Sequence, residues 1–207
     1  MNILITGANG FIGKNLTFQL KERKEFKIFF YTKESTKGEL SQFISEADFI
    51  FHLAGVNRPK ENLEFKKVNT DLTESICSLL REKNKKTPIL FSSSIQAALD
   101  NEYGKSKLEA ESILNRLQSE NGNPVFIFRL PNVFGKWCLP NYNSVIATFC
   151  YNIVRDLPVK INDPDATIVL AYIDDVIDKF INILNNFSQN FDQSLTTYKI
   201  TLGELYR

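Results

Sequence analysis

The chain is poor in the residues that metal and disulfide chemistry need. It has one histidine, His52, and three cysteines, Cys77, Cys138 and Cys150, with no C-x-x-C pair among them. A Cys/His zinc site and a disulfide framework are thereby excluded, and no metal is expected. Nine glycines and seven prolines in 207 residues are too few for a low-complexity or collagen-like chain. Charge of one sign is also lacking. The net charge is +1, which gives no electrostatic reason for a nucleic acid or an anionic membrane as partner. Long apolar runs are absent as well. The longest uncharged stretch, between Lys136 and Arg155, is broken by Pro140, Asn141, Asn143 and Asn152, which makes a poor membrane span. The opening MNILITGANG reaches a turn after six residues, too soon for a secretory signal. Free thiols without a leader predict a cytoplasmic protein.

What is present is an alternation of short apolar runs with amphipathic stretches. Strands are predicted over 2–6, 26–32, 48–53, 88–93 and 125–130. Helices are predicted over 10–23, 37–46, 62–83 and 102–119, with Leu108, Ile113 and Leu117 on the last. Strand–helix alternation implies βαβ units, and apolar strands such as FIFHLAG and VFIFRL suit a parallel sheet covered on both faces. The expected class is α/β, a Rossmann-type doubly wound parallel sheet over 1–131, with a small substrate-binding lobe over 132–207. In that lobe the pattern predicts a loop over 133–142, a helix over 144–154, strands over 159–162 and 167–173, and a helix over 175–186. The final 203–207 read as one helical turn capped by Thr201, an ending expected of a truncated chain, with a frayed natural terminus as the alternative.

Gly7, Gly10 and Gly13 form G-x-x-G-x-x-G between the first strand and the first helix. Such glycines make a tight turn, admit a pyrophosphate close to backbone, and let helix pack on strand. The helix N-terminus then offers unpaired N–H groups to the phosphates. The pattern predicts a dinucleotide, with Asn9, Phe11 and Ile12 beside the glycines. NAD-binding sheets of this kind place an acid at the end of the second strand. Here that strand ends Tyr31-Thr32-Lys33. Thr32, Lys33 and Arg58 are therefore candidates for a 2′-phosphate clamp, and NADPH is expected over NADH. The alternative is a solvated Lys33 with Glu34 in the acidic role.

Tyr103 and Lys107 stand four apart near a helix start and share a face. An ammonium beside a phenol favours the phenolate and brings its pKa toward neutrality. Ser94, at the end of the fourth strand, could hydrogen-bond a substrate carbonyl. Its neighbour Ser93 points to the opposite face, and Ser94 is preferred over it. The three together would polarise a ketone and protonate the alkoxide formed from it.

These residues together resemble the extended short-chain dehydrogenase/reductase superfamily. His52-Leu53-Ala54-Gly55, the RLPNVFG segment at 129–135 and the YIDDV segment at 172–176 match further family segments. LAGVNRP, SSSIQAALDNEYGKSKLEAE and PNVFGKWCLPNYNSVIATFCYNI are similar to the N-terminal domain of bifunctional capsular polysaccharide synthesis enzymes of the CapF type. The resemblance implies NADPH-dependent reduction of the C4 ketone of a UDP-2-acetamido-2,6-dideoxy-hexos-4-ulose, toward UDP-N-acetyl-L-fucosamine. It also implies a cupin epimerase domain that this sequence lacks, on further sequence or another chain, and a possible homodimer. It places Leu53, Ala54 and Gly55 under the adenosine and diphosphate, and Lys107 and Pro131 at the nicotinamide end. It turns Asn132, Lys136, Trp137, Asn141, Asn143 and Ser144 toward the sugar nucleotide. Two departures stand out: only nine positions separate Ser94 from Tyr103, and one usual strand is missing between the second and third.

Other functions of the same superfamily remain open. A dehydratase would add an acidic pair after the catalytic serine, where Ile95-Gln96 stands. A 4-epimerase would retain its cofactor, and a non-catalytic NADP-binding module would have no need of Tyr103 and Lys107. Bland readings suit the rest. His52 is expected to be structural, Cys77 and Cys150 core, Cys138 a small apolar filler, and Asp174 and Asp175 caps of the following helix.

Overall fold

The computed structural model describes residues 1–57, 61, 64–142, 144–187 and 194–207. The described chain falls into two compact units, Met1–Arg129 and a second made of Leu130–Phe187 with Ser194–Arg207.

In the first unit the strands are β1 (Asn2–Thr6), β2 (Lys27–Tyr31), β3 (Phe49–His52), β4 (Ile89–Ser94) and β5 (Val125–Leu130), in the order β2-β1-β3-β4-β5. The β1–β2, β1–β3 and β3–β4 pairs are parallel. Between them run α1 (Phe11–Lys21), α2 (Lys37–Glu46), α3 (Leu72–Glu82) and α4 (Glu102–Asn121). Alternation along β1 divides the core: Leu4 joins Ile44, Ile50, Ile76, Leu80, Phe91, Ala110 and Leu114 in one cluster. Ile3 and Ile5 are equally buried, as are Leu16 and Leu20 of α1. Each such side chain contributes about 1.5–3 kcal/mol by leaving water. The order reverses between β1 and β3, so the carboxyl ends of these two strands open the crevice where sheets of this class take their ligands.

Several expectations are corrected here. The predicted helix over 62–83 is not uniform. Its first two residues lie outside the described set, Phe65–Asp71 is π-helical, and only Leu72–Glu82 is α-helical. Leu108 faces solvent, because the inner face of α4 is made by Ala110, Ile113, Leu114 and Leu117.

The second unit holds β6 (Asn132–Phe134), β7 (Thr167–Tyr172) and β8 (Tyr198–Thr201) in that order, with α5 (Val145–Ile153), α6 (Ile173–Asn185) and α7 (Leu202–Tyr206). β6 occupies part of the predicted 133–142 loop. Val133 and Phe134 pair with Ala171 and Tyr172, a partnership no local window reveals. The predicted strand over 159–162 does not form, and Pro158 and Pro164 bracket it. Cys150 is exposed rather than core, whereas Cys77 is buried as expected. Asp174 and Asp175 lie in the first turn of α6 and Tyr172 is its N-cap, so they favour the helix through its dipole rather than by capping. Thr201 does cap α7, in a capping box with Glu204. Among the described residues no helix is long and apolar enough to cross a membrane.

Candidate active site

The β1–α1 turn is built for close backbone approach. Gly7 has φ +72°, and a Cβ there would stand 2.6 Å from Ala54 N. A Cβ on Gly13 would stand 2.3 Å from the Gly7 carbonyl. The turn closes with Gly10 N donating to Gly7 O at 2.9 Å. Gly10 is the N-cap of α1, no side chain caps that end, and its first turn holds no acid. The leading amides of Phe11, Ile12 and Gly13 therefore lack helical partners and face an anion with the positive end of the dipole. Leu53 and Ala54 lie against this turn, Gly55 follows them beside Lys107 and Asn69, and Asn9 is exposed. These residues fit a dinucleotide pyrophosphate, since the helix end offers its amides with no side-chain cap and no acid in the first turn.

At the end of β2, Thr32 Oγ1 donates to Glu34 Oε2 at 2.6 Å, and Thr32 N donates to Ser35 Oγ at 3.0 Å. That hydroxyl holds the Glu34 carboxyl below its usual range. Lys33 is exposed alongside, and Arg58 lies outside the described residues.

Ser93 and Ser94 separate as strand alternation requires. Ser93 Oγ donates to the buried Glu111 carboxylate, which Arg129 also grips. Ser94 Oγ accepts from Gln96 N at 3.2 Å and caps a 3-10 turn, Ile95–Ala98. That turn explains the short interval before Tyr103. A Cβ on Gly104 would meet the Gln96 carbonyl at 2.1 Å, so the turn lies directly on the first turn of α4. Asn101 caps α4 by accepting from Gly104 N at 2.8 Å. The sequence reading missed Gly104, whose signal is its position directly after the tyrosine.

Tyr103 is half-buried, with its ring centroid 6.0 Å from that of Phe65. One turn on, Lys107 is buried at 3% exposure. Its Nζ donates to Ser92 O at 2.9 Å and stands 4.7 Å from the centroid of the Phe91 ring. Burial pushes its pKa down to about 8, while the Glu111 charge works the other way. A Cβ on Gly55 would lie 3.0 Å from this ammonium, so the loop after β3 and the lysine meet here. A phenol and an ammonium on one face of α4, together with a serine hydroxyl at the end of β4, are groups of the kind that move a proton to an oxyanion.

Asn69 was not anticipated. It is fully buried in the π-helical segment, accepts from Val56 N at 2.9 Å and donates to Val56 O at 3.1 Å. It thereby fixes the loop after Gly55. A π-helical turn is often found at functional sites, but nothing in the local periodicity announces one. His52 is buried between Thr6 and Thr73, as a structural histidine should be.

In the second unit, Pro131 is half-buried and Asn132, Lys136, Trp137 and Asn141 are exposed. Lys136 Nζ stands 4.3 Å from the centroid of the Trp137 ring. Trp137 has φ +69° and Asn141 φ +55°, a conformation uncommon for a bulky side chain. Ser144 is buried and caps α5 by accepting from Ala147 N at 3.3 Å. Asn143 lies outside the described residues.

Comparison with known proteins agrees with this geometry. The model of the NAD dependent epimerase/dehydratase family matches residues 3–198. A UDP-2-acetamido-2,6-beta-L-arabino-hexul-4-ose reductase of Pseudomonas aeruginosa is 50% identical over 99% of this chain and 56% of its own length. The capsular polysaccharide assembling protein CapF of Staphylococcus aureus superposes with a TM-score of 0.86 at 44% identity, over 99% of this chain and 56% of that one. The chain thus spans about half the length of both. A UDP-glucuronic acid 4-epimerase of Bacillus cereus, solved with NAD, has a TM-score of 0.85 at 18% identity over 98% of this chain and 81% of that one, and shares the fold. On the glycine turn, the sheet order and these likenesses, the chain belongs to the NAD dependent epimerase/dehydratase family.

Proposed function

We propose that this chain reduces the C4 ketone of a UDP-2-acetamido-2,6-dideoxy-hexos-4-ulose with NADPH, giving a UDP-N-acetyl-6-deoxy-L-talosamine-type product for capsule or O-antigen synthesis. The observation that carries it is Lys107, an ammonium buried against Ser92 O and under Gly55, one turn from Tyr103. The identity to a hexulose 4-ketoreductase along nearly the whole chain supports the substrate class.

When bound, the reduced nicotinamide supplies a hydride. The chain does the rest. Ser94 donates a hydrogen bond to the ketone oxygen and steadies the charge that grows there. Tyr103 delivers the phenolic proton to that oxygen, and Lys107 favours the phenolate left behind. An ammonium has three protons; one serves Ser92 O and the others suit ribose hydroxyls. Asn132, Lys136, Trp137, Asn141, Asn143 and Ser144 belong to the lobe, residues 132–207, that takes the sugar nucleotide. Lys136 offers a charge to the UDP pyrophosphate and Trp137 a stacking face.

The NADPH preference rests on Lys33 and on the lack of an acid at the end of β2. One observation favours NADH instead: Glu34, hydrogen-bonded to Thr32, could serve a ribose 2′-hydroxyl. We place the enzyme in the cytoplasm, with its substrate supplied by a C3 epimerase of the cupin type, on further sequence or on another chain.

The test is NADPH absorbance against a mixture of the 4-keto sugar and its C3 epimer, with NADH in parallel. Oxidation of NADPH with formation of the 6-deoxy-talo product is expected. Binding of NADPH without oxidation would remove the substrate assignment. Equal rates with NADH would remove the 2′-phosphate assignment. A product epimerised at C4 without cofactor consumption would make the chain an epimerase.

A further inference from the structure

The hydrogen bonds around His52 assign their own directions. Thr73 Oγ1 donates its single proton to the Asn69 carbonyl at 2.7 Å. Toward His52 Nε2, 2.8 Å away, it can then only accept, so Nε2 carries the ring proton. Nδ1 is left as the acceptor, and Thr6 Oγ1, 2.7 Å away, donates to it. Thr6 Oγ1 in turn accepts from Ala54 N at 3.1 Å. Beyond Asn69 the order continues. Asn69 Nδ2 donates to Ser106 Oγ at 2.9 Å, and Ser106 Oγ donates to the Tyr103 carbonyl at 2.8 Å. Each proton in this run has one acceptor, the second amide proton of Asn69 Nδ2 going to Val56 O, and both ring nitrogens are used.

The two ends of the run are not arbitrary. Ala54 N is the atom that a Cβ on Gly7 would strike at 2.6 Å, so it sets the floor of the phosphate turn. The Tyr103 carbonyl belongs to the helical turn that presents the phenol. The imidazole also stacks on Phe91 at 5.2 Å between centroids, and Lys107 lies 4.7 Å from the centroid of the same ring.

We infer that His52 is a positioning residue. Held as its neutral Nε2–H tautomer, it fixes the loop beneath the dinucleotide through Thr6 and the Tyr103 turn through Thr73, Asn69 and Ser106. A lysine or arginine at this place could not accept from Thr6, and a carboxylate could not donate to Thr73. Imidazole does both across a width that matches the gap between β1 and α3. Burial and the Lys107 charge keep the ring neutral, with a pKa of about 3. The inference rests on the reductase reading only for its turnover measurements.

His52 is the chain's one histidine, so its ring nitrogens give unambiguous ¹⁵N resonances. The whole protein is expected to show the Nε2–H tautomer, unchanged from pH 5 to pH 9. An Nδ1–H tautomer, or titration within that range, overturns the assignment whatever the protein catalyses. Variants then separate the two arms. Thr6→Val should raise the NADPH dissociation constant about tenfold, the scale of one buried hydrogen bond lost. Thr73→Val should lower kcat about tenfold and leave that dissociation constant within about twofold. His52→Asn, whose shorter amide can accept from Thr6 through Oδ1 but does not span the ring's width to Thr73, should recover cofactor affinity relative to His52→Leu without recovering kcat. Folded variants with both quantities unchanged, or with both falling together in step with stability, would make His52 a packing residue. If the wild-type protein reduces no ketone, the reductase reading fails, while the ¹⁵N tautomer and the Thr6→Val affinity still decide this one. If a variant does not fold, the ¹⁵N result on the wild-type protein decides.

Discussion

Glu111 on α4 accepts from Nε and Nη2 of Arg129 on β5, at 3.0 and 2.6 Å, with the carboxylate 6% exposed and the guanidinium 45%. Ser93 of β4 donates to the same carboxylate, so one buried acid joins three elements. Its removal from water is offset only while these partners hold. Arg129→Ala is expected to cost about 2 kcal/mol, because a charged acceptor loses its main donor. The urea midpoint should fall with an unchanged slope. Adding Glu111→Gln to Arg129→Ala should then cost less than it does alone, and strict additivity would show that the pair is not coupled.

The buried Lys107 makes stability depend on pH in a stated direction. Its folded pKa of about 8 lies below the ordinary lysine value of 10.5, so between these values the unfolded chain binds more protons. Stability therefore rises from about pH 8 to about pH 10.5, by about 3 kcal/mol at most. Lys107→Met should lack this rise in a denaturation series. Turnover should move the opposite way in the wild type, falling above pH 8 as the ammonium is lost.

Gly13→Ala would force a methyl to within 2.3 Å of the Gly7 carbonyl and 2.7 Å of Ala8 Cα, both backbone. The helix must move off the strand. A loss of about 2 kcal/mol in stability and a large loss of cofactor affinity are expected. Calorimetry showing native cofactor binding by this variant would contradict the pyrophosphate site.

Tyr103→Phe removes the proton donor and leaves the ring. The rate of ketone reduction should drop by about 10²–10⁴, the usual contribution of a general acid, with NADPH affinity within about twofold of wild type. Stopped-flow hydride transfer at wild-type speed would assign the proton to another group.

Lys33→Ala tests the cofactor. If Lys33 pairs with a 2′-phosphate, NADPH should bind about tenfold more weakly and NADH unchanged. A matched change for both cofactors would return Lys33 to the solvated surface and Glu34 to the ribose.

The glycine turn, the shared face of Tyr103 and Lys107, and the divergence of Ser93 and Ser94 were legible because each is a short-range pattern: three glycines between strand and helix, four residues on one face, alternation on a strand. The sheet could be read for the same reason, since apolar runs and amphipathic stretches alternate locally. What escaped depends on partners far along the chain. β6 exists because Val133 and Phe134 find Ala171 and Tyr172. The π-helical Phe65–Asp71 places Asn69 on Val56, a loop thirteen positions earlier. Gly104 owes its identity to the Gln96 carbonyl, and Glu111 to Arg129. Cys150 was misjudged because an apolar helix sequence does not say how much of the helix is covered.

The contact between Gly104 and Gln96 is made by a carbonyl and not by the glutamine side chain. The distance between Ser94 and the Tyr103 turn is accordingly written in backbone. The identities of the exposed Ile95, Gln96 and Ala98 are therefore loosely constrained, unlike that of the buried Ala97, while the number of residues is fixed. A library randomising Ile95, Gln96 and Ala98 should yield many folded, binding-competent proteins, and a single inserted residue there should yield almost none. The stretch behaves as a ruler whose markings can be repainted and whose length is fixed.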